Sequence, residues 1–117
     1  MATIKALGIE VHVETWHEEQ EETIVMLHGF TGSTKTWEHV ASMLPQYRII
    51  AIDCIGHGQT ESPKDSTLYK MEHQLAVLEE VFKALQLTSF TLIGYSMGGR
   101  IALSYAIKYP GRVQTLI

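Results

Sequence analysis

A serine flanked by glycines is the feature of this sequence best suited to nucleophilic or acid–base chemistry. Residues 94–99 read Gly-Tyr-Ser-Met-Gly-Gly and lie between an apolar run ending at Ile93 and a stretch with helical spacing. G-x-S-x-G at a strand-to-helix junction is typical of a nucleophile elbow, a tight turn that leaves no room for side chains two residues from the serine. The pattern predicts that Ser96 stands above the carboxyl ends of the strands, where the amino end of a helix stabilises negative charge. The alternative is a glycine-rich turn whose serine only caps the helix.

A second glycine-rich segment is placed to complete such a site. Residues 28–32 read His-Gly-Phe-Thr-Gly and directly follow the apolar run Thr23–Leu27. A loop in this position directs a backbone N–H, here that of Phe30, toward the serine, while Met97 supplies a second N–H from the elbow. Together they would form an oxyanion hole. Because a His-Gly pair alone is more often a simple turn, this prediction depends on Ser96.

A third segment, Asp53 to Thr60, reads Asp-Cys-Ile-Gly-His-Gly-Gln-Thr and follows another apolar run. We interpret Asp53 and His57 as residues that fix this loop by hydrogen bonds, and Cys54 as a small buried apolar residue. The six histidines and the single cysteine form no metal-ligand pattern, and no phosphate-binding or dinucleotide glycine motif is present. The sequence therefore predicts neither a metal nor a cofactor.

The elements that would position these segments are readable from hydrophobic periodicity. Continuous apolar runs at Thr23–Leu27, Arg48–Ile52 and Phe90–Ile93 predict strands covered on both faces. Ile9–Val13 alternates apolar and polar residues, which predicts an antiparallel or edge strand with one face in water. The acidic stretch Glu14–Glu22 predicts a solvated turn.

Helical spacing separates the later strands. It is seen from Trp37 to Leu44, from Leu75 to Leu85, and from Ser96 to just before Pro110. The predicted order is three strands, then helix and strand in alternation, ending in an apolar strand at Val113–Ile117. This order predicts an α/β fold of three layers, with a mostly parallel sheet and antiparallel N-terminal strands.

Length and charge restrict the class of protein. The chain has 117 residues, 45% of them hydrophobic, three prolines and a formal net charge of -4. We expect a single domain, with no second domain, and no binding to nucleic acid or to a membrane surface. A lone cysteine and the lack of a signal peptide or membrane span make the cytoplasm the expected location. No segment follows the last predicted strand to cover it, so we expect the chain to be the N-terminal portion of a larger domain, truncated before a cap and the last strands. We also expect the exposed strand to pair with a missing segment or with another chain.

In combination these landmarks resemble the α/β-hydrolase fold family over essentially the whole chain. The landmarks are the His28–Phe30 loop, Trp37, the Asp53–Gly58 segment, the Gly94–Gly98 elbow and the Tyr109–Val113 helix ending. The resemblance implies a cleft above the sheet, a serine activated by histidine and aspartate, and a helical cap inserted after the last strand here. In this family the acid and the histidine follow the serine, but no residue after Ser96 is Asp, Glu or His. We therefore expect the chain alone to lack a complete triad.

Within that family, the three motif segments are most similar to those of the pyruvate-eliminating synthases of menaquinone biosynthesis. That resemblance implies a lyase that acts on a cyclohexene carrying several carboxylates, with Ser96 removing a proton. It also implies that Arg100, Tyr95 and His28 contact the substrate, a small-molecule carboxylate. Arg100 lies one helical turn after Ser96, so its guanidinium can pair with a substrate carboxylate; the alternative is a surface arginine.

Two other interpretations remain open. One is a hydrolase of esters or carbon–carbon bonds that forms an acyl intermediate at Ser96. The other is a non-catalytic fragment or binding module on a hydrolase scaffold, suggested by the incomplete triad.

Overall fold

The computed structural model describes residues 2–117, which contain six strands and three α-helices. The strands are β1 (Ala2–Ala6), β2 (Ile9–Trp16), β3 (Thr23–Leu27), β4 (Arg48–Ile52), β5 (Phe90–Gly94) and β6 (Val113–Leu116). The helices are α1 (Glu38–Ser42), α2 (Met71–Ala84) and α3 (Met97–Lys108), and short 3-10 helices cover Thr34–Trp37 and Ser66–Tyr69. The order of strands and helices is the one predicted from the sequence.

All six strands belong to one mixed sheet in the order β1-β2-β4-β3-β5-β6. β1 and β2 pair antiparallel, β2 joins β4 antiparallel, and the four strands β4, β3, β5 and β6 run parallel. The predicted parallel sheet with antiparallel N-terminal strands is therefore confirmed. Because β3 lies between β4 and β5, the loops after these three strands meet at one edge of the sheet.

Apolar clusters cover both faces of the central strand. Val25 and Leu27 of β3 belong to the larger cluster, which α2 and α3 complete, whereas Ile24 and Met26 pack in a smaller cluster with Ala41 of α1. A strand buried on both faces needs apolar side chains at successive positions, which accounts for the continuous run in the sequence. The molecule therefore has three layers.

The N-terminal part differs from the prediction in two details. β2 continues to Trp16, so the turn is shorter than the acidic stretch that suggested it. His12, expected on the wet face, is buried: its Nε2 lies 3.1 Å from a carboxylate oxygen of Glu14. The backbone N–H of His12 also donates to the Thr60 hydroxyl at 2.9 Å. The loop after β4 folds over this part of β2 and removes it from water.

A partly buried polar network holds α3 in place. The Tyr105 hydroxyl of α3 donates to Glu79 of α2 at 2.7 Å, and Arg112 Nε lies 2.9 Å from the same carboxylate. Arg112 also donates to the Leu87 carbonyl. Since Arg112 leads into β6, these contacts tie α2, α3 and the edge strand together. The amino end of α3 is consequently fixed relative to the sheet.

Candidate active site

The turn between β5 and α3 has the strained backbone that the sequence predicts. Ser96 has φ +54° and ψ -114°, in a region that non-glycine residues rarely adopt, and its side chain is exposed. Hydrogen bonds on either side hold the turn: Tyr95 N–H donates to the Leu27 carbonyl at 3.0 Å, and Gly98 N–H donates to the Tyr95 carbonyl at 2.9 Å. Ser96 is therefore presented outward by a turn attached to the end of β3.

Two glycines of this turn are required for space. A Cβ on Gly94 would overlap the backbone of Gly98, and a Cβ on Gly98 would overlap the carbonyl oxygens of Leu27 and His28. The end of β5, the first turn of α3 and the end of β3 thus touch through backbone atoms alone. The spacing of glycine around Ser96 has the steric cause inferred from the sequence.

An open cleft of about 430 Å³ lies beside the turn. Phe30 from the loop after β3 and Met97 from the first turn of α3 both line it, as do residues of the loop after β4. Within residues 2–117, the backbone N–H of neither Phe30 nor Met97 donates to another protein group. Two free donors at the amino end of a helix suit a developing oxyanion, so the oxyanion hole stays the prediction for this pair.

His28 occupies a different position from the one expected. Its side chain is fully buried, and its Nε2 accepts a hydrogen bond from the Cys54 N–H at 3.0 Å. Its Nδ1 must then carry the proton, which it donates to the Gly29 carbonyl at 2.7 Å. Burial lowers the pKa of this imidazole, so the neutral form is favoured. The ring bridges the loops after β3 and β4 instead of facing the cleft, and it has no free nitrogen for a substrate or for the Ser96 proton.

Asp53 fixes the neighbouring loops, as the sequence suggests. Its buried carboxylate accepts hydrogen bonds from Thr34 N–H at 2.7 Å and from Gln59 N–H at 2.9 Å. The first of these bonds joins the loop after β4 to the segment that follows Phe30. Asp53 is therefore a positioning residue for the predicted oxyanion loop.

The two residues predicted beside Asp53 also have structural contacts. His57 is half-buried, donates from Nδ1 to the Ile55 carbonyl at 3.1 Å and lines the cleft. Cys54 is buried, and burial raises the pKa of its thiol to about 12, so the reactive thiolate is disfavoured. The interpretation of Cys54 as a small apolar residue agrees with this placement.

Arg100 and Tyr95 are both exposed next to Ser96. Arg100 makes no ion pair or side-chain hydrogen bond with any residue in the described part of the chain. Its charge stands in the first turn of α3, where the helix dipole disfavours a cation and favours an anion. The Tyr95 ring lies against Gly29, on which a Cβ would come within 2.9 Å of the ring. Tyr95, Ser96 and Arg100 are thus exposed close together in sequence around the amino end of α3, and in this segment it is Met97 that lines the cleft.

Sequence reasoning missed four residues of the cleft. Thr31, Ser62, Tyr69 and Gln74 all line it. The Tyr69 hydroxyl donates to the Pro63 carbonyl at 2.7 Å, and the Gln74 amide donates to the Tyr69 carbonyl at 2.8 Å. No motif marks Tyr69 or Gln74, because only the folding of the long connection between β4 and α2 brings them to the cleft. Thr31 does lie in a motif, between two glycines.

Comparison with known proteins agrees with this architecture. The family model described as the alpha/beta hydrolase fold matches residues 22–117. The chain belongs to the α/β-hydrolase fold family. It is 44% identical over 110 residues to the putative 2-succinyl-6-hydroxy-2,4-cyclohexadiene-1-carboxylate synthase of Bacillus subtilis (strain 168), a match over 94% of this chain and 40% of the relative. It is 30% identical to epoxide hydrolase 4 of Mus musculus, over 97% of this chain and 32% of that protein.

A solved structure of an epoxide hydrolase variant from Vigna radiata superposes with a TM-score of 0.92 at 26% identity. The superposition covers 98% of this chain and 36% of that one. The chain therefore spans well under half the length of the α/β-hydrolase relatives it matches. These relatives are enzymes of one fold with different named activities, synthase and hydrolase.

Within residues 2–117, the Ser96 hydroxyl has no hydrogen-bond partner, and no His, Asp or Glu follows it in the sequence. The same residues contain no group of three or more His, Cys, Asp or Glu side chains arranged to hold a metal ion. None of the helices described is long and apolar enough to span a lipid bilayer.

Proposed function

We propose that this chain carries the serine, the oxyanion donors and a carboxylate-binding arginine of a pyruvate-eliminating synthase. The substrate would be a cyclohexene with several carboxylates, as in 2-succinyl-6-hydroxy-2,4-cyclohexadiene-1-carboxylate synthase. The observation that carries the proposal is Arg100, an exposed guanidinium with no partner among residues 2–117, one helical turn after Ser96. The 44% identity to the Bacillus subtilis relative supports the same assignment.

The local charge favours an anionic ligand although the whole chain is negative. The formal net charge is -4, so long-range attraction would oppose an anion. Near Ser96 the balance is reversed, because Arg100, the amino end of α3 and the free N–H groups of Phe30 and Met97 all favour negative charge. A hydrogen bond to a charged group contributes about 1.5–3 kcal/mol, which corresponds to at least about tenfold in binding.

The proposed reaction begins with a proton transfer from Ser96 to a histidine base. The serine oxygen then takes a proton from the substrate ring, and the N–H groups of Phe30 and Met97 hold the enolate oxygen that forms. The electron pair from the broken C–H bond expels the pyruvate group as its enolate, which takes up a proton. The base has to be a histidine with a free ring nitrogen, and His28 has none.

An acyl-transferring serine hydrolase is the second candidate. An exposed serine beside two free N–H groups is equally suited to forming an acyl intermediate. Names of other relatives, such as the probable lysophospholipase BODYGUARD 4 of Arabidopsis thaliana at 35% identity, are consistent with this chemistry. The two candidates differ in what they require of Arg100, which a neutral ester would not contact.

The deciding experiment compares two probes on the wild-type chain and on Arg100→Ala. Binding of benzene-1,2-dicarboxylate is followed by amide chemical shifts, and acylation of Ser96 by neutral 4-nitrophenyl acetate is followed by mass spectrometry. The synthase proposal predicts that Arg100→Ala weakens dicarboxylate binding at least about tenfold. Lys108→Ala, which removes a cation at the other end of α3, is the matched control and should leave binding unchanged.

A different result would favour another interpretation. Dicarboxylate binding that is equal in the wild type and Arg100→Ala would contradict the synthase proposal. Rapid stoichiometric acylation of Ser96 that is unaffected by Arg100→Ala would favour the hydrolase. Pyruvate release by the 117-residue chain alone would exclude a non-catalytic binding module.

A further inference from the structure

Thr31 adopts a backbone conformation that its residue type disfavours. The Gly32 N–H donates to the Gly29 carbonyl at 2.9 Å, which closes a four-residue turn with Phe30 and Thr31 at its centre. Thr31 has φ +66°, whereas Phe30 is not among the residues with positive φ. This combination is that of a type II turn, in which the second central position favours glycine. A β-branched residue with positive φ is a marked exception.

The flanking glycines of the same loop serve a different purpose. Neither Gly29 nor Gly32 has a positive φ. A Cβ on Gly29 would meet the Tyr95 ring at 2.9 Å, and a Cβ on Gly32 would lie 3.0 Å from the Gly29 carbonyl oxygen. Glycine is therefore used where space is short, while threonine occupies the position where the backbone favours glycine. Strain of this kind persists where a side chain has a function.

The position of Thr31 indicates what that function is. Thr31 is exposed and lines the same cleft as Met97 and His57. In the part of the chain that is described, its hydroxyl has no hydrogen-bond partner. The turn therefore holds an unused donor and acceptor at the mouth of the cleft, next to the proposed oxyanion donor of Phe30.

We propose that Thr31 is a specificity-determining residue whose hydroxyl binds a carboxylate oxygen of the ligand. The inference rests on the proposed function, in which Arg100 binds one carboxylate of a substrate that carries several. Met97, three residues before Arg100, lines the cleft together with Thr31, so a ligand that reaches from Arg100 past Met97 would bring a second carboxylate to the loop after β3. Thr31 then selects for dicarboxylates over monocarboxylates.

Three substitutions separate the hydroxyl from the shape and the strain of this residue. Thr31→Val keeps the branched shape without the hydroxyl, Thr31→Ser keeps the hydroxyl, and Thr31→Gly removes both the side chain and the strain. Binding of benzene-1,2-dicarboxylate and of benzoate is measured for each variant by amide chemical shifts. Thr88→Val, in the exposed loop just before β5, is the matched control.

We expect Thr31→Val and Thr31→Gly to weaken dicarboxylate binding about fivefold to tenfold, with benzoate binding changed less than about twofold. Thr31→Ser and Thr88→Val should bind as the wild type does. Thr31→Gly should also raise the melting temperature by about 4 °C, because it relieves the strain. Weaker binding in a more stable protein is a result that a merely structural role for Thr31 would not produce.

The same measurements distinguish failure of this inference from failure of the proposed function. Unchanged dicarboxylate binding by Thr31→Val, with a loss in Arg100→Ala, would overturn the role of Thr31 and leave the synthase proposal standing. Unchanged binding by Arg100→Ala, or no dicarboxylate binding by the wild type, would overturn both. A melting temperature of Thr31→Gly at or below that of the wild type would show that threonine causes no backbone strain at this position, and it would count against the inference.

Discussion

Replacing Gly98 with alanine tests the backbone packing on which the candidate active site depends. A Cβ at this position would overlap the carbonyl oxygens of Leu27 and His28, which end the central strand and cannot rotate away. Overpacking of a rigid site costs about 1–3 kcal/mol, and two backbone contacts favour the upper end. The better helix propensity of alanine offsets about 1 kcal/mol of that cost. We expect the free energy of unfolding to fall by about 2 kcal/mol, which lowers the urea midpoint by about 1 M.

Gly99 is the matched control, because it lies in the same turn of α3. A Cβ on Gly99 would find its nearest neighbour, the Gly94 carbonyl oxygen, at 3.4 Å, which is an ordinary contact. Gly99→Ala should therefore leave stability unchanged or raise it by up to about 1 kcal/mol. Both variants are compared by urea unfolding followed through tryptophan fluorescence. Equal midpoints for the two variants would refute the argument that the turn is limited by backbone contacts.

Two further predictions follow from burial and from the open sheet edge. Burial lowers the pKa of His28 below its ordinary 6.5, so between the two pKa values the unfolded chain binds a proton that the folded chain does not. The free energy of unfolding should therefore fall as the pH drops below 6.5, by up to about 1.4 kcal/mol per pH unit. His28→Gln should reduce this loss in urea titrations at pH 7.5 and 5.5, and an equal loss of stability in the wild type and the variant would contradict the prediction. β6 pairs with β5 on one side and has no strand on its other side among residues 2–117, so its pairing with a missing segment or with another chain stays a prediction. Pairing with another copy of the chain predicts that Thr115→Lys lowers the sedimentation coefficient at high concentration, whereas the control Thr88→Lys does not; equal effects would exclude β6 as the contact between copies.

The parts of the fold that the sequence predicts are those with a local cause. The turn at Ser96 is readable because the steric limit on Gly94 comes from the backbone of Gly98, only four residues later. The central strands are readable because burial on both faces demands continuous apolar runs. In both cases the residue types that show the steric or burial constraint are those of the constrained segment itself.

The contacts of His28 could not be predicted for the opposite reason. Its partner, the Cys54 N–H, lies 26 residues further along the chain, and the two loops meet only because β3 and β4 are neighbours in the sheet. A histidine next to a glycine at the end of a strand fits a ligand contact and a buried bridge equally well. The order of the strands in the sheet decides between these two roles, and hydrophobic periodicity does not reveal that order.

The same distinction explains why the serine is easier to assign than the substrate. The cleft takes its lining residues from several segments, including Thr31 after β3, His57 after β4 and Gln74 on α2. Loops at the carboxyl ends of parallel strands vary without disturbing the sheet, so proteins of one fold acquire different substrates there. The TM-score of 0.92 with an epoxide hydrolase, beside 44% identity to a synthase, fits a constant sheet under changing loops. Arg100 is the exception, because it lies in the helix that begins at the elbow and its backbone is placed by the turn that places Ser96. The proposal of an anionic ligand therefore depends on this residue more than on the loops.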